Sequence, residues 1–182
     1  MSLPHIILGL LTVAGPKSGY DLKQIINHST RHFWYCDLSQ IYRALDTLKE
    51  NQWVSGTEDE EASRHRITYT CTPAGEAELR RWLVEAFEVT KVRAPELARV
   101  FFGKYIPHER LKEQVINYRT HYAGLLENYS RIKSVIESER SEHPDDVDYW
   151  LLTLDLGKRC AQAYLDWCNH VLGKLESTGK KE

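Results

Sequence analysis

The chain has 182 residues, 42% of them hydrophobic and 27% charged, with 24 basic against 26 acidic side chains and a formal net charge of −2. That is enough apolar material for one large domain or two small ones, but it offers no bulk positive charge with which to coat nucleic acid. No apolar run approaches the roughly 20 residues a membrane span needs, and the N-terminus lacks the positively charged region of a signal peptide, so a cytoplasmic protein with no membrane partner is expected.

In chain order, residues 3–14 are apolar and read as a helix, punctuated by Gly15-Pro16-Lys17-Ser18-Gly19 before a second helical stretch over residues 20–28. Residues 38–48 form the most informative segment. Ile41, Leu45 and Leu48 fall on one stripe at helical spacing, while Ser39, Gln40, Arg43, Asp46 and Thr47 occupy the opposite side with Tyr42 at the margin. Two short strands follow, residues 53–57 and 67–72, the second alternating Ile67, Tyr69 and Cys71 with Thr68, Thr70 and Thr72. Between them lies a polar loop with four consecutive acids, Glu58 to Glu61, followed by Arg64 and Arg66. Helix, helix, helix and two-stranded ribbon is the order of a winged helix-turn-helix.

A further helix opens with Thr72 as cap and Pro73 at its first position and is expected to reach about Val89, which puts a domain boundary near Thr90 with helix running almost continuously through it. Beyond it, Leu111, Val115, Tyr118, Tyr122, Leu125, Tyr129, Ile132 and Ile136 step by four and three, a heptad seam on one long helix opened by Pro107. A second long helix is expected from Pro144, with Asp145, Asp146 and Asp148 near its start. Its seam is Trp150, Leu154, Gly157, Ala161, Tyr164, Cys168, Val171 and Leu175. The two seams make an antiparallel, coiled-coil-like hairpin whose aromatic payload exceeds what one pair of helices covers, so a homodimer is expected. The fold class is therefore mainly α: a winged helix-turn-helix over residues 1–89 and a helical dimerisation domain over residues 90–182.

The sequence resembles the PadR family of bacterial transcription regulators, in its PadR/AphA-like subgroup. The resemblance rests on the opening Ser2-Leu3-Pro4-His5-Ile6-Ile7-Leu8-Gly9-Leu10-Leu11, on Ser18-Gly19-Tyr20-Asp21-Leu22, on Gln40-Ile41-Tyr42-Arg43-Ala44-Leu45, and on Tyr69 with Thr72-Pro73-Ala74-Gly75. It implies a two-fold dimer held through the C-terminal helices and the N-terminal segment, a palindromic operator on double-stranded DNA, and a small aromatic acid as effector. The chain departs from the family pattern at Asn51-Gln52, where a glycine usually ends the helix, so the left-handed cap falls to Asn or to Gln.

Placement rather than quantity of charge supports DNA contact. Lys17, Ser18, Tyr20 and Lys23 around the second helix, Ser39, Gln40, Tyr42, Arg43 and Thr47 on the third, and Arg64 and Arg66 on the wing are the candidate contacts. The rival reading is a protein-binding winged-helix adaptor that docks a partner on the same face. Phe33, Trp34 and Tyr35, with Trp150, suit either core or interface packing or the wall of an effector pocket. His28, His32 and Cys36 are spaced by four, yet they straddle the end of a predicted helix with Arg31 among them, so no metal and no cofactor are expected. Cys36, Cys71, Cys160 and Cys168 form no CxxC pair and read as reduced, mostly buried thiols. With no phosphate-cradling glycine loop, GxSxG elbow or HExxH, an enzyme is not expected.

Overall fold

The structure, a computed structural model, describes residues 2–59, 66–87, 89 and 93–178. The chain divides into two compact units, Met1–Val89 and Thr90–Glu182.

In the first unit, α1 (Leu3–Ala14) buries Ile7, Leu8 and Leu11. Gly15, at φ 72°, then turns the chain into a short strand β1 (Lys17–Ser18). Helix α2 (Gly19–His28) starts from a reciprocal cap in which the Ser18 hydroxyl accepts the Asp21 amide and the Asp21 carboxylate accepts the Ser18 amide. Helix α3 (Leu38–Glu50) starts the same way from Asp37 and Gln40. Strands β2 (Val54–Asp59) and β3 (Arg66–Cys71) pair antiparallel from Val54 opposite Cys71 to Asp59 opposite Arg66. Strand β1 joins the outer edge of β3, with Lys17 opposite Tyr69, so the expected two-stranded wing carries a third, two-residue strand in the order β1-β3-β2.

One core serves the unit, built from Ile7, Leu8, Leu22, Ile26, Ile41, Leu45 and Leu48 at essentially zero exposure. Each such side chain contributes on the order of 1.5–3 kcal/mol of burial. Helix α3 ends with Gln52 at φ 59°, the Gln52 amide donating to the Lys49 carbonyl and the Trp53 amide to the Leu48 carbonyl. The left-handed position thus falls to Gln52, not to Asn51. Helix α4 (Pro73–Leu83) is capped by the Thr72 hydroxyl, which accepts the Gly75 amide at 3.1 Å. Gly75 is needed here because a β-carbon would lie 2.1 Å from the Trp53 carbonyl oxygen.

Helix α4 stops at Leu83 instead of continuing to Val89. The Val84 and Glu85 amides both turn back to the Trp82 carbonyl, and Val84 and Phe87 are exposed, so a further turn would bury neither of them among the described residues. The expectation of nearly continuous helix through the boundary is corrected with it.

The second unit contains α5 (Pro95–Phe101), α6 (His108–Ser138) and α7 (Val147–Thr178). Helices α6 and α7 pack as the expected antiparallel hairpin. Leu111 and Val115 meet Cys168 and Leu172 in one cluster, while Tyr129 meets Leu154 and Ala161 in another. The small residue Gly157 receives the Tyr129 ring, whose Cζ would be 3.3 Å from a β-carbon there. Helix α7 begins at Val147, three residues later than expected. The amides of Asp146 and Val147 share the His143 carbonyl in a tight turn, and Arg140 bridges it to Asp148 at 2.8 Å. No helix among the described residues is long and apolar enough to cross a membrane.

Candidate nucleic-acid interface

Helix α3 buries Ile41, Ala44, Leu45 and Leu48 and exposes Ser39, Gln40, Tyr42, Arg43 and Asp46, with Thr47 half-buried. Its first turn is held before any ligand arrives. Asp37 Oδ1 accepts the Gln40 amide at 2.8 Å and the Ser39 hydroxyl at 2.7 Å, and Gln40 Oε1 accepts the Asp37 amide at 2.8 Å. The Ser39 hydroxyl and the Gln40 amide hold the Asp37 carboxyl below its ordinary value. Arg43 lies along the helix with Nε 3.4 Å from the Ser39 carbonyl, and the Thr47 hydroxyl donates to the Arg43 carbonyl at 3.1 Å. Gln40 and Thr47 thereby present only part of their hydrogen-bonding capacity outward.

Two candidate contacts from the second helix region turn inward. Ser18 is only 5% exposed and its hydroxyl donates to Asp21 at 2.8 Å, so the capping geometry removes it from the surface set. Lys23 donates from Nζ to the Cys36 carbonyl at 2.5 Å and stands 5.2 Å from the centre of the Tyr35 ring, which ties it to the chain leading into α3. Tyr20 is exposed. Lys17 lines a polar cleft of about 490 Å³ with Pro16, Asp21, Gln24, Ile25, Arg66 and Thr68, and Arg66 pairs with Asp21 there. Arg64, with the acids Glu60 and Glu61, lies outside the described residues.

The aromatic candidates fall in both units. Trp34 packs on the core of the first unit, Tyr35 is exposed beneath Lys23 and Arg31, and Phe33 is half-exposed. Trp150 belongs to the second unit, its ring 5.3 Å from that of His143. The second unit carries a cavity of its own. That cavity, about 330 Å³, is floored by Val100, Leu111, Val115, Tyr118 and Trp167 and rimmed by Glu96, Arg99, Gln114, Asn117 and His121. The Tyr118 hydroxyl donates to Glu96 Oε1 at 3.0 Å and lies 3.1 Å from the Tyr122 hydroxyl, while Tyr122 stacks on Tyr164 at 4.6 Å. Burial, then the Tyr122 and Glu96 contacts, push the Tyr118 hydroxyl well above the ordinary tyrosine range. The heptad pattern found Tyr118 as a packing residue. Its link to Glu96 spans 22 positions and two helices, and no local pattern announces it.

All four cysteines are free thiols; Cys36 and Cys168 are buried, Cys71 is intermediate and Cys160 is exposed. Burial pushes the Cys36 and Cys168 thiols up, which leaves them poor nucleophiles and poor ligands.

A capped helix with one buried and one polar face, set beside a short antiparallel sheet and followed by a long helical hairpin, defines a winged helix-turn-helix fold with a helical extension. Residues 7–81 match the transcriptional regulator PadR-like family and residues 92–176 match the virulence activator alpha C-terminal family. The probable transcriptional regulator Rv1176c of Mycobacterium tuberculosis is 28% identical, over 97% of this chain and 98% of that protein. The virulence activator AphA of Vibrio cholerae superposes with a TM-score of 0.77 at 25% identity, covering 97% of this chain and 99% of that one. PadR of Bacillus subtilis, solved in complex with operator DNA, superposes with a TM-score of 0.80 at 21% identity over 96% and 99%. Its complex with p-coumaric acid gives 0.73 at 21% over 97% and 99%. Residues 7–81 thus form a PadR-like transcriptional regulator domain, and residues 92–176 a virulence activator alpha C-terminal domain.

Proposed function

We propose that the chain is a DNA-binding regulator acting as a homodimer on a palindromic operator in the cytoplasm, with residues 1–89 reading DNA and residues 90–182 dimerising. The observation that carries this is the outward face of α3: Ser39, Gln40 and Arg43 stand together on a turn ordered by the Asp37 cap, over a fully buried stripe of Ile41, Leu45 and Leu48. Arg43 and Gln40 are the base-reading residues, because a guanidinium forks onto guanine and Gln40, with Oε1 turned to the Asp37 amide, offers Nε2 to a base acceptor. Ser39, Tyr42, Lys17, Tyr20 and Arg66, with Arg64, meet the backbone. Bacillus subtilis PadR, a relative in fold, is solved with operator DNA.

Dimerisation is assigned to α7, where Tyr149, Leu152 and Leu156 are each about two-thirds exposed at spacings of three and four, away from the seam that meets α6. A small aromatic acid in the cavity of the second unit is the effector reading. The floor of Trp167, Tyr118, Leu111 and Val115 suits a ring, and Arg99 and His121 on the rim suit a carboxylate. In support, Bacillus subtilis PadR is solved with p-coumaric acid.

A gel shift of the purified protein on its own upstream region tests the proposal. Binding that survives excess random competitor DNA, and weakens with a p-hydroxycinnamate added to the wild type but not to Trp167→Ala, is the expected result. A protein that shows no DNA affinity would be a protein-binding adaptor instead.

A further inference from the structure

The polar cleft beside the wing is assembled from three elements: Lys17 comes from β1, Gln24 from α2, and Arg66 and Thr68 from β3. The one acid among its described lining residues, Asp21, is committed three times over. It accepts the Ser18 amide at 3.1 Å and the Ser18 hydroxyl at 2.8 Å, and it pairs with the Arg66 guanidinium. Burial pushes the Asp21 carboxyl up, but the Ser18 hydroxyl and amide together with Arg66 outweigh this and hold it below its ordinary value, so it is ionised at neutral pH. Among the described lining residues, Lys17 and Arg66 against Asp21 leave one surplus positive charge, the complement of a single phosphodiester.

Arg66 has about half of its side chain exposed, so N–H groups remain for a ligand while its Nη2 is paired with Asp21. A guanidinium held in this way has lost much of its rotamer freedom before DNA arrives, which removes part of the ordering cost of the contact. We propose that Asp21 is a positioning residue for DNA: it fixes the Arg66 guanidinium at the rim of the cleft so that Arg66 and Lys17 together take one backbone phosphate. This rests on the reading of the first unit as DNA-binding.

The test is fluorescence anisotropy of the full chain with its upstream DNA and with a scrambled duplex, between about 50 and about 200 mM salt. Arg66→Gln is expected to weaken both duplexes roughly three- to tenfold and to lower the salt slope by about 1. Asp21→Asn is expected to do the same although it removes a negative charge, and the double variant to be no weaker than either single one. Asp21→Glu, which keeps the charge and a residue favoured at that capping position, restores the slope. Thermal unfolding accompanies each variant, and if Asp21→Asn loses its fold, Asp21→Glu set against Arg66→Gln carries the comparison. Tighter binding with a steeper slope in Asp21→Asn, losses that multiply in the double variant, or a folded Asp21→Glu that binds like Arg66→Gln would overturn the proposal while leaving the DNA-binding reading intact. A wild type without DNA affinity would overturn both.

Discussion

The ring of Tyr42 on α3 lies so close over Gly19, the first residue of α2, that a β-carbon there would meet Tyr42 Cε1 at 2.6 Å. The two helices of the helix-turn-helix meet at this point, so Gly19→Ala must push the Tyr42 ring aside. We expect a loss of roughly 1–3 kcal/mol for this overpacking. Most of that loss should vanish in a Tyr42→Ala background, where nothing meets the added methyl. Urea midpoints of the four proteins of the cycle measure it, and equal losses in both backgrounds would show that the two residues do not constrain each other.

Gln52 pays the steric penalty of a left-handed backbone at the end of α3, with the Trp53 amide closing the turn on the Leu48 carbonyl. Gln52→Gly removes that penalty, and the expected gain is on the order of 1 kcal/mol. A denaturation midpoint that falls on substitution would mean that the Gln52 side chain contributes more than its conformation costs.

Glu78 of α4 joins α4 to α1 through His5, at 3.0 Å, with Arg81 at 2.7 Å on its other side. Hydrogen bonds from Arg81, then from His5, lower its carboxyl from about 4.5 to about 2. A lowered folded-state value means that the stabilisation is complete above about pH 4.5 and drains away as the pH falls towards about 2. Acid unfolding of Glu78→Gln should therefore begin from a less stable protein and show a shallower dependence across that window. An unchanged acid slope would remove Glu78 as its source.

The exposed stripe on α7 predicts the oligomeric state. The chain mass is 21.2 kDa, and light scattering at micromolar concentration should return twice that value. Leu152→Asp with Leu156→Asp should bring it back to one chain while leaving the α6–α7 seam, and hence the helical circular dichroism, largely intact. Operator affinity should fall steeply with the dimer, because each half-site then loses the effective concentration that the other supplies.

Much of the first unit was legible in the sequence because its signals are local. Ile41, Leu45 and Leu48 mark the buried stripe of α3 by spacing alone, Thr72-Pro73 announces α4, and the threonine alternation of residues 67–72 announces β3. The capping role of Ser18 was also available, since Ser18-Gly19-Tyr20-Asp21 has the spacing of a capping box, yet the same serine reads equally well as a surface contact. What the sequence could not show depends on partners distant in the chain. Helix α4 stops at Leu83 with Val84 and Phe87 left exposed, and the apolar run Leu83-Val84 gives no sign of it. Lys23 turns to the Cys36 carbonyl because of how residues 33–37 fold back, and the cavity of the second unit needs α5, α6 and α7 together. The hairpin was the converse case: two heptad seams specify the pairing of α6 with α7 so strongly that only the start of α7 was misplaced.

In the proposed complex α3 enters a major groove in two copies, and a footprint on the upstream DNA of the intact protein tests that most directly. We expect two protected half-sites related by a dyad, their centres separated by roughly 10–10.5 base pairs or a multiple of it. Arg43→Ala should lose roughly 1–3 kcal/mol of discrimination at one symmetric base position while still binding. Protection spread evenly along the duplex, or an Arg43→Ala protein whose ratio of operator to scrambled affinity is unchanged, would contradict the claim.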